Sequence, residues 1–130
     1  PDDAEVVVVH DAARPAASPE LFERVVDAVQ AGADGAVPGV PVTDSLRHVT
    51  DGAVDREALV AVQTPQAFRA AALRRAHAGG LEATDDATLV EQAGGTIVVV
   101  DGETTNVKLT HPADRVVLEA TLAGRPEPVR

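Results

Sequence analysis

Val6-Val7-Val8-Val9-His10-Asp11-Ala12-Ala13-Arg14-Pro15 joins four β-branched residues directly to a polar loop. A continuous β-branched run reads as a strand buried on both faces, the pattern of a parallel sheet. Such a strand needs neighbours on both sides, so its sheet partners must lie elsewhere. A helix follows the loop. Ser18 is placed to cap it and Pro19 suits its first position. Leu21, Phe22, Val25, Val26 and Val29 recur at helical spacing, and Gly32 ends the helix.

The rest of the chain continues the alternation. Ala36–Val42 is apolar but carries Pro38 and Pro41, which predicts an edge strand or a bent extended segment. Leu46–Thr50, Asp51-Gly52 and Ala53-Val54 predict a polar hairpin with little to bury alone, an arm that packs on something else. Leu59–Val62 reads as a short strand, followed by the loop Gln63–Gln66. Phe68, Ala72, Leu73 and Ala76 form a second helical stripe, stopped by Gly79-Gly80. Thr84 or Asp85 caps a third helix, from Asp86 to Ala93, ended by Gly94-Gly95. Ile97–Val100 is a buried strand and Asn106–Thr110 a short extended segment. Pro112 opens a last helix with Val116, Val117 and Ala120 inward, and residues 125–130 form a flexible Pro-rich tail. Strands alternating with helices predict an α/β fold with a mostly parallel sheet, in one domain over residues 1–130. Ligands of such folds bind outside the carboxyl ends of the strands. The loops to watch are therefore His10–Pro15, Gln63–Gln66 and Asp101–Lys108.

Composition narrows the function. Aromatic residues make up only 2% of the chain, Phe22 and Phe68, so Ala, Val, Leu and Ile must build the core. A net charge of −10 argues against a broad nucleic-acid surface. The chain has no cysteine, which excludes disulfides, thiolate nucleophiles and Cys-ligated metals. No apolar run approaches a membrane span, and the first residues lack a signal-peptide pattern. A cytoplasmic domain is expected.

Several polar residues fall on the predicted loops. Asp11 suits a divalent cation or a ribose hydroxyl, and Arg14 suits a phosphate. The alternative is an Asp–Arg pair that only pins the loop. Thr64 offers a hydroxyl at a strand end. Thr84 can cap its helix and present free N–H groups to an anion. Asp85-Asp86 reads as first-turn acidity favoured by the helix dipole rather than as a metal pair. Asp55-Arg56 reads by itself as an exposed ion pair. Lys108 is the only lysine among eleven basic residues; it reads either as a place where a compact ammonium is needed and a planar guanidinium does not fit, or as the chance survival of one lysine, and composition alone does not separate the two. His10, His48, His77 and His111 show no metal-ligand spacing, and the chain holds no glycine-rich phosphate loop.

Six motifs stand in order: Val-His-Asp-Ala-Ala-Arg-Pro from Val9, Pro-Val-Thr-Asp-Ser-Leu from Pro41, Val-Asp-Arg from Val54, Val-Gln-Thr-Pro-Gln-Ala-Phe from Val62, Ala-Thr-Asp-Asp-Ala from Ala83, and Asn-Val-Lys-Leu-Thr from Asn106. Together they resemble the 2-C-methyl-D-erythritol 4-phosphate cytidylyltransferases of the non-mevalonate isoprenoid pathway, from Val6 to about Leu122. The resemblance implies a Rossmann-like nucleotidyltransferase fold with a protruding β-arm, here about residues 43–57. It implies transfer from CTP to the sugar-alcohol phosphate with release of pyrophosphate, dependence on Mg²⁺, and a homodimer whose arms reach into the neighbouring site. By matching position, Asp11 lies near the cation and nucleotide, and Arg14 contacts the acceptor. Arg56 and Lys108 position the acceptor phosphate, and Ser45, Thr64 and Thr84 supply hydroxyl contacts. Ser45 replaces an expected threonine, keeping the hydroxyl without the methyl. Ser45 and Arg56 belong to the arm and so are expected to serve the partner's site.

The family's first strand and its basic, glycine-rich triphosphate loop have no counterpart here. The chain therefore reads as the C-terminal portion of such an enzyme, inactive alone. A pentitol-phosphate cytidylyltransferase is the neighbouring reading. A non-catalytic module that binds a sugar phosphate or dimerises is the reading from another class. Exposed sheet edges at Val6–Val9 and Ile97–Val100 are the aggregation risk of an incomplete sheet.

Overall fold

A computed structural model describes residues 2–126. The elements, in chain order, are β1 (Val6–Val9), α1 (Pro19–Gln30), β2 (Gly35–Pro41), the hairpin strands β3 (Arg47–His48) and β4 (Gly52–Ala53), β5 (Val60–Val62), β6 (Gln66–Arg69), α2 (Ala70–Ala78), α3 (Asp86–Gln92), β7 (Ile97–Asp101) and α4 (Pro112–Ala123). A 3-10 turn, Arg56–Ala58, precedes β5. No helix among the described residues is long and apolar enough to cross a membrane.

The expected α/β architecture is present, a central sheet with helices on both faces. Side chains alternate across β2 and β6. Ala36 and Ala67 turn towards α1, where Val25 and Val29 are buried with Val98 and Val100 packed beside them. Val37 and Phe68 turn the other way, onto Ala72 and Ala76 of α2 and Leu89 and Val90 of α3. Small residues let the layers close. A Cβ on Gly35 would lie 2.7 Å from the Phe68 ring and 2.6 Å from Ile97, so the core phenylalanine lies directly over a glycine. Ser18 caps α1 as its sequence suggests, with Oγ accepting from Leu21 N at 3.1 Å.

The expectation of a mostly parallel sheet is corrected. β1, β2 and β7 share one direction, but only β2 and β7 pair in parallel. β6 lies between β1 and β2 and runs against both, and β5 runs against β2. β5 and β6 lie along the same edge of β2 as one interrupted strand. Val62 is opposite Gly39 and Ala67 is opposite Ala36, so two extra residues are accommodated in between. The Thr64–Pro65 bond within that interruption is cis. β2 is correspondingly the central strand rather than an edge. Pro38 is tolerated because it faces the interruption, where its carbonyl accepts from Gln63 N at 2.9 Å.

Other expectations shift with this topology. Phe68 belongs to β6, and α2 starts only at Ala70. β1 pairs with β6 alone among the described residues, so Val8 and Val9 remain 38% and 37% exposed rather than buried on both faces. In α4 the buried residue is Leu118, while Val116 and Val117 face outward at 69% and 50% exposure. An apolar run on successive positions of a helix does not say which flank meets the core. The tail divides. Arg125 donates to the Ala16 carbonyl, which ties it down, and residues 127–130 lie outside the described residues. The polar hairpin stands apart as its own two-stranded sheet, with Val54 N on Leu46 O at 3.0 Å.

Candidate functional site

Three strand-end loops meet, those after β1, β5 and β7. The first loop is shaped by its own carboxylate. Asp11 Oδ1 accepts from Ala13 N at 2.9 Å, and Arg14 N donates to Asp11 O at 2.9 Å. Asp11 does not pair with Arg14, as the loop-pinning reading required. Its other oxygen, Oδ2, stands 3.1 Å from Lys108 Nζ. The Ala13 amide first, and Lys108 second, hold the Asp11 carboxyl below its ordinary range. Arg14 instead donates from Nη1 to the Asn106 carbonyl at 2.7 Å. Partial burial draws its guanidinium below the usual value, and Asp11 opposes that shift. Arg14 remains a cation at neutral pH.

Thr64 completes the cluster. Its Oγ1 accepts from Asp11 N at 3.0 Å and lies 3.2 Å from His10 Nδ1. Four candidates read from the sequence (Asp11, Arg14, Thr64 and Lys108) are thus brought together. Three others are not. Arg56 sits at the root of the hairpin and donates to Thr43 O at 2.5 Å, without pairing with Asp55, which caps the 3-10 turn. It lines a cleft of about 490 Å³ with Pro41, Val42, Leu59 and Val60, and no residue of the Asp11 cluster reaches that cleft. Ser45 is exposed on the same hairpin segment. Thr84 is exposed before α3 and does not cap it. Asp85 does, accepting from Thr88 N at 2.7 Å, while Asp86 bonds His77 of α2 at 2.9 Å. The Asp85-Asp86 pair is therefore occupied in holding helices.

The sequence reading missed the residues that clasp the loops. The Gln63 side chain donates to Glu103 O at 2.8 Å and accepts from Glu103 N at 3.0 Å, as a strand neighbour does. Fully buried Asn106 donates from Nδ2 to Thr64 O at 2.8 Å and to Gln63 Oε1 at 3.3 Å. Both facing groups are acceptors, so the amide cannot be flipped. Glu103 accepts from Ser18 N at 3.0 Å and from the Ser18 hydroxyl, tying the third loop to the start of α1. Leu109 N on Ala13 O at 2.7 Å joins the first and third loops directly. The one available signal was that Gln63 and Asn106 are uncharged amides inside the motifs themselves.

No three His, Cys, Asp or Glu side chains converge as a metal cage among the described residues. Asp11 alone offers a carboxylate in the cluster that is not committed to a helix end. With Oδ1 on the Ala13 amide and Oδ2 facing Lys108, this one carboxylate would hold Mg²⁺ only if Lys108 turned away to the substrate and water and substrate phosphates completed the shell, as Mg²⁺ commonly allows.

A helix-covered mixed sheet whose strand-end loops gather two cations, a carboxylate and a hydroxyl defines an α/β domain with a site suited to an anionic ligand. The family model described as 2-C-methyl-D-erythritol 4-phosphate cytidylyltransferase (IspD) matches residues 1–124, and the chain belongs to that family. A relative of that description from Rubrobacter xylanophilus is 50% identical over 133 residues, covering 95% of this chain and 57% of its own length. A bifunctional IspD/IspF enzyme of Oleidesulfovibrio alaskensis is 48% identical over 93% of this chain and 33% of its own. The crystal structure of the Thermus thermophilus cytidylyltransferase superposes with a TM-score of 0.82 at 46% identity, over 91% of this chain and 62% of that one. The chain thus spans less than two-thirds of the length of these relatives.

Proposed function

We propose that this chain takes part in joining CTP to 2-C-methyl-D-erythritol 4-phosphate with release of pyrophosphate, and that it supplies the acceptor-binding side of the site in a cytoplasmic homodimer. The observation that carries the reading is the Asp11–Lys108 contact at 3.1 Å beside Arg14, two cations gathered at the strand ends of a chain with net charge −10. In-line attack of an acceptor phosphate oxygen on the α-phosphorus of CTP needs crowded anions aligned and neutralised, and no nucleophilic side chain. Arg14 grips the acceptor. Lys108 holds the acceptor phosphate and Thr64 contributes a hydroxyl contact, while Thr84, exposed before α3 and apart from this cluster, keeps the role that the resemblance implies only if the bound acceptor reaches it. Asp11 is the residue that would hold Mg²⁺, which supplies charge neutralisation on the nucleotide phosphates when bound.

Arg56 and Ser45 act from the arm, residues 43–57, on the partner's site. In support, Arg56 bonds within its own hairpin root, and the hairpin is a separate small sheet. The test is a ³¹P NMR titration of the folded 130-residue chain with the acceptor, followed by addition of CTP and Mg²⁺ and measurement of pyrophosphate. Acceptor binding that is lost in Lys108→Ala is the expected result. A folded chain that does not bind the acceptor would overturn the reading. A pentitol phosphate serves as the control for acceptor identity.

A further inference from the structure

His10 has no part in the roles above, yet it touches two of the residues that do. Its Nε2 lies 3.0 Å from the Arg14 carbonyl, its Nδ1 lies 3.2 Å from Thr64 Oγ1, and its ring packs in a T-shaped arrangement with Phe22, the ring centroids 5.0 Å apart. We infer that His10 is a positioning residue that fixes the direction of the Thr64 hydroxyl, so that Thr64 accepts a hydrogen bond from a hydroxyl of the acceptor and does not donate one to its phosphate. The ligand's identity rests on the proposed acceptor-binding role, whereas the hydroxyl's direction does not.

Arg14 O decides which ring nitrogen carries the hydrogen. A carbonyl only accepts, so His10 Nε2 carries the hydrogen. In the neutral ring Nδ1 is then a lone pair, and the hydrogen between it and Thr64 must come from the hydroxyl. Thr64 Oγ1 has one hydrogen to give and gives it to His10. One of its lone pairs is already taken by Asp11 N–H at 3.0 Å. What remains is a single lone pair, which attracts a donor and repels a phosphate oxygen. The division of labour follows: Arg14 and Lys108 meet the anionic end of a sugar-alcohol phosphate, and Thr64 meets its polyol.

The tautomer is directly observable. Long-range ¹H–¹⁵N correlation on the ¹⁵N-labelled chain at neutral pH, with His10 assigned by the loss of its signals in His10→Gln, should show Nε2 protonated and Nδ1 unprotonated. A protonated Nδ1, in the other tautomer or in the imidazolium, overturns the inference. Isosteres then separate the two halves of the ring. His10→Asn returns an acceptor oxygen near the Nδ1 position, whereas His10→Gln restores only the contact to Arg14 O. Acceptor affinity by ³¹P NMR should stay near wild type in His10→Asn and fall about tenfold in His10→Gln, as for one lost hydrogen bond. Adding His10→Gln to Thr64→Val should cost nothing more. Equal losses in the two single variants, or an additive loss in the double, would overturn the inference. A wild-type chain that binds no acceptor defeats the proposed function, and the ring nitrogens still decide the direction of the Thr64 hydroxyl.

Discussion

Lys108 Nζ stands 3.1 Å from Asp11 Oδ2, so the only lysine of the chain faces the carboxylate of the first strand-end loop. Both side chains keep substantial contact with solvent, at 53% and 32% exposure. Ion pairs of that kind contribute little to stability. Lys108→Ala should therefore leave the thermal midpoint almost unchanged. If Lys108 meets the acceptor phosphate, the same substitution should abolish acceptor binding by this chain, and in the complete dimeric enzyme it should lower pyrophosphate formation by about two orders of magnitude or more. Calorimetry and an acceptor titration on the chain, with a turnover assay on the complete enzyme, check both halves. A large loss of stability would show that the pair holds the loops together instead.

Acid should weaken the fold through carboxylates held by backbone amides. Asp114 is kept below its ordinary range by the His111 and Thr110 amides, at 2.8 and 3.0 Å, and Asp11 by the Ala13 amide and then Lys108. A carboxyl that is more acidic when folded binds protons more tightly when unfolded. Its contribution is complete above the unfolded pKa and disappears as pH falls through the folded one. Urea midpoints should therefore fall on acidification below about pH 4, the unfolded range of aspartate. In Asp114→Asn, which keeps an acceptor oxygen but cannot titrate, that decline should be shallower.

The parts of the site that were legible in the sequence share one property: each is a charged or hydroxyl group on a loop directly after a strand. Asp11, Arg14, Thr64 and Lys108 meet that description and converge. Gln63 and Asn106, being neutral amides, could not be read the same way, and Glu103, charged and just after β7, was passed over although it fits the description. Their partners come from loops distant in sequence, and an amide shows nothing of its role until those loops meet. The sheet was misread for a local reason. Phe68, Ala72 and Ala76 are spaced as one helical face, and β6 passes into α2 between Arg69 and Ala70 without a glycine, a proline or a side-chain cap to mark the change. A reversed strand in the middle of the sheet was hidden with it, and so was the central position of β2.

Phe68 tests that corrected assignment. It is fully buried in β6 against Gly35, Val37 and Ile97, not on a helix surface. Phe68→Ala should cost about 3–5 kcal/mol, the range for emptying a buried aromatic site. Gly35→Ala should also destabilise, because its new Cβ would lie 2.6 Å from Ile97 and 2.7 Å from the Phe68 ring. A helical Phe68 with a free flank would show neither effect. Urea denaturation of the two variants decides the matter.

The clasp around Gln63 separates packing from hydrogen bonding within one cluster. Gly102 admits the Gln63 amide: a Cβ there would lie 2.7 Å from Gln63 Oε1 and 3.1 Å from Gly39 O. Gly102→Ala must push the amide off Glu103, and the backbone oxygen beside it cannot yield, so a loss of about 1–3 kcal/mol is expected. Asn106→Leu keeps the volume but strips donors from Thr64 O and Gln63 Oε1, both facing a fully buried residue, for a loss of about 1–3 kcal/mol. The two substitutions act on the same glutamine, so their effects should combine to less than the sum. Acceptor affinity should fall further in Asn106→Leu than in Gly102→Ala. Asn106 alone ties the Thr64 carbonyl to the segment carrying Lys108, and its own carbonyl receives Arg14. Additive stabilities with unchanged acceptor binding would mean that the third loop is held by Glu103 and Ser18 instead, through the start of α1.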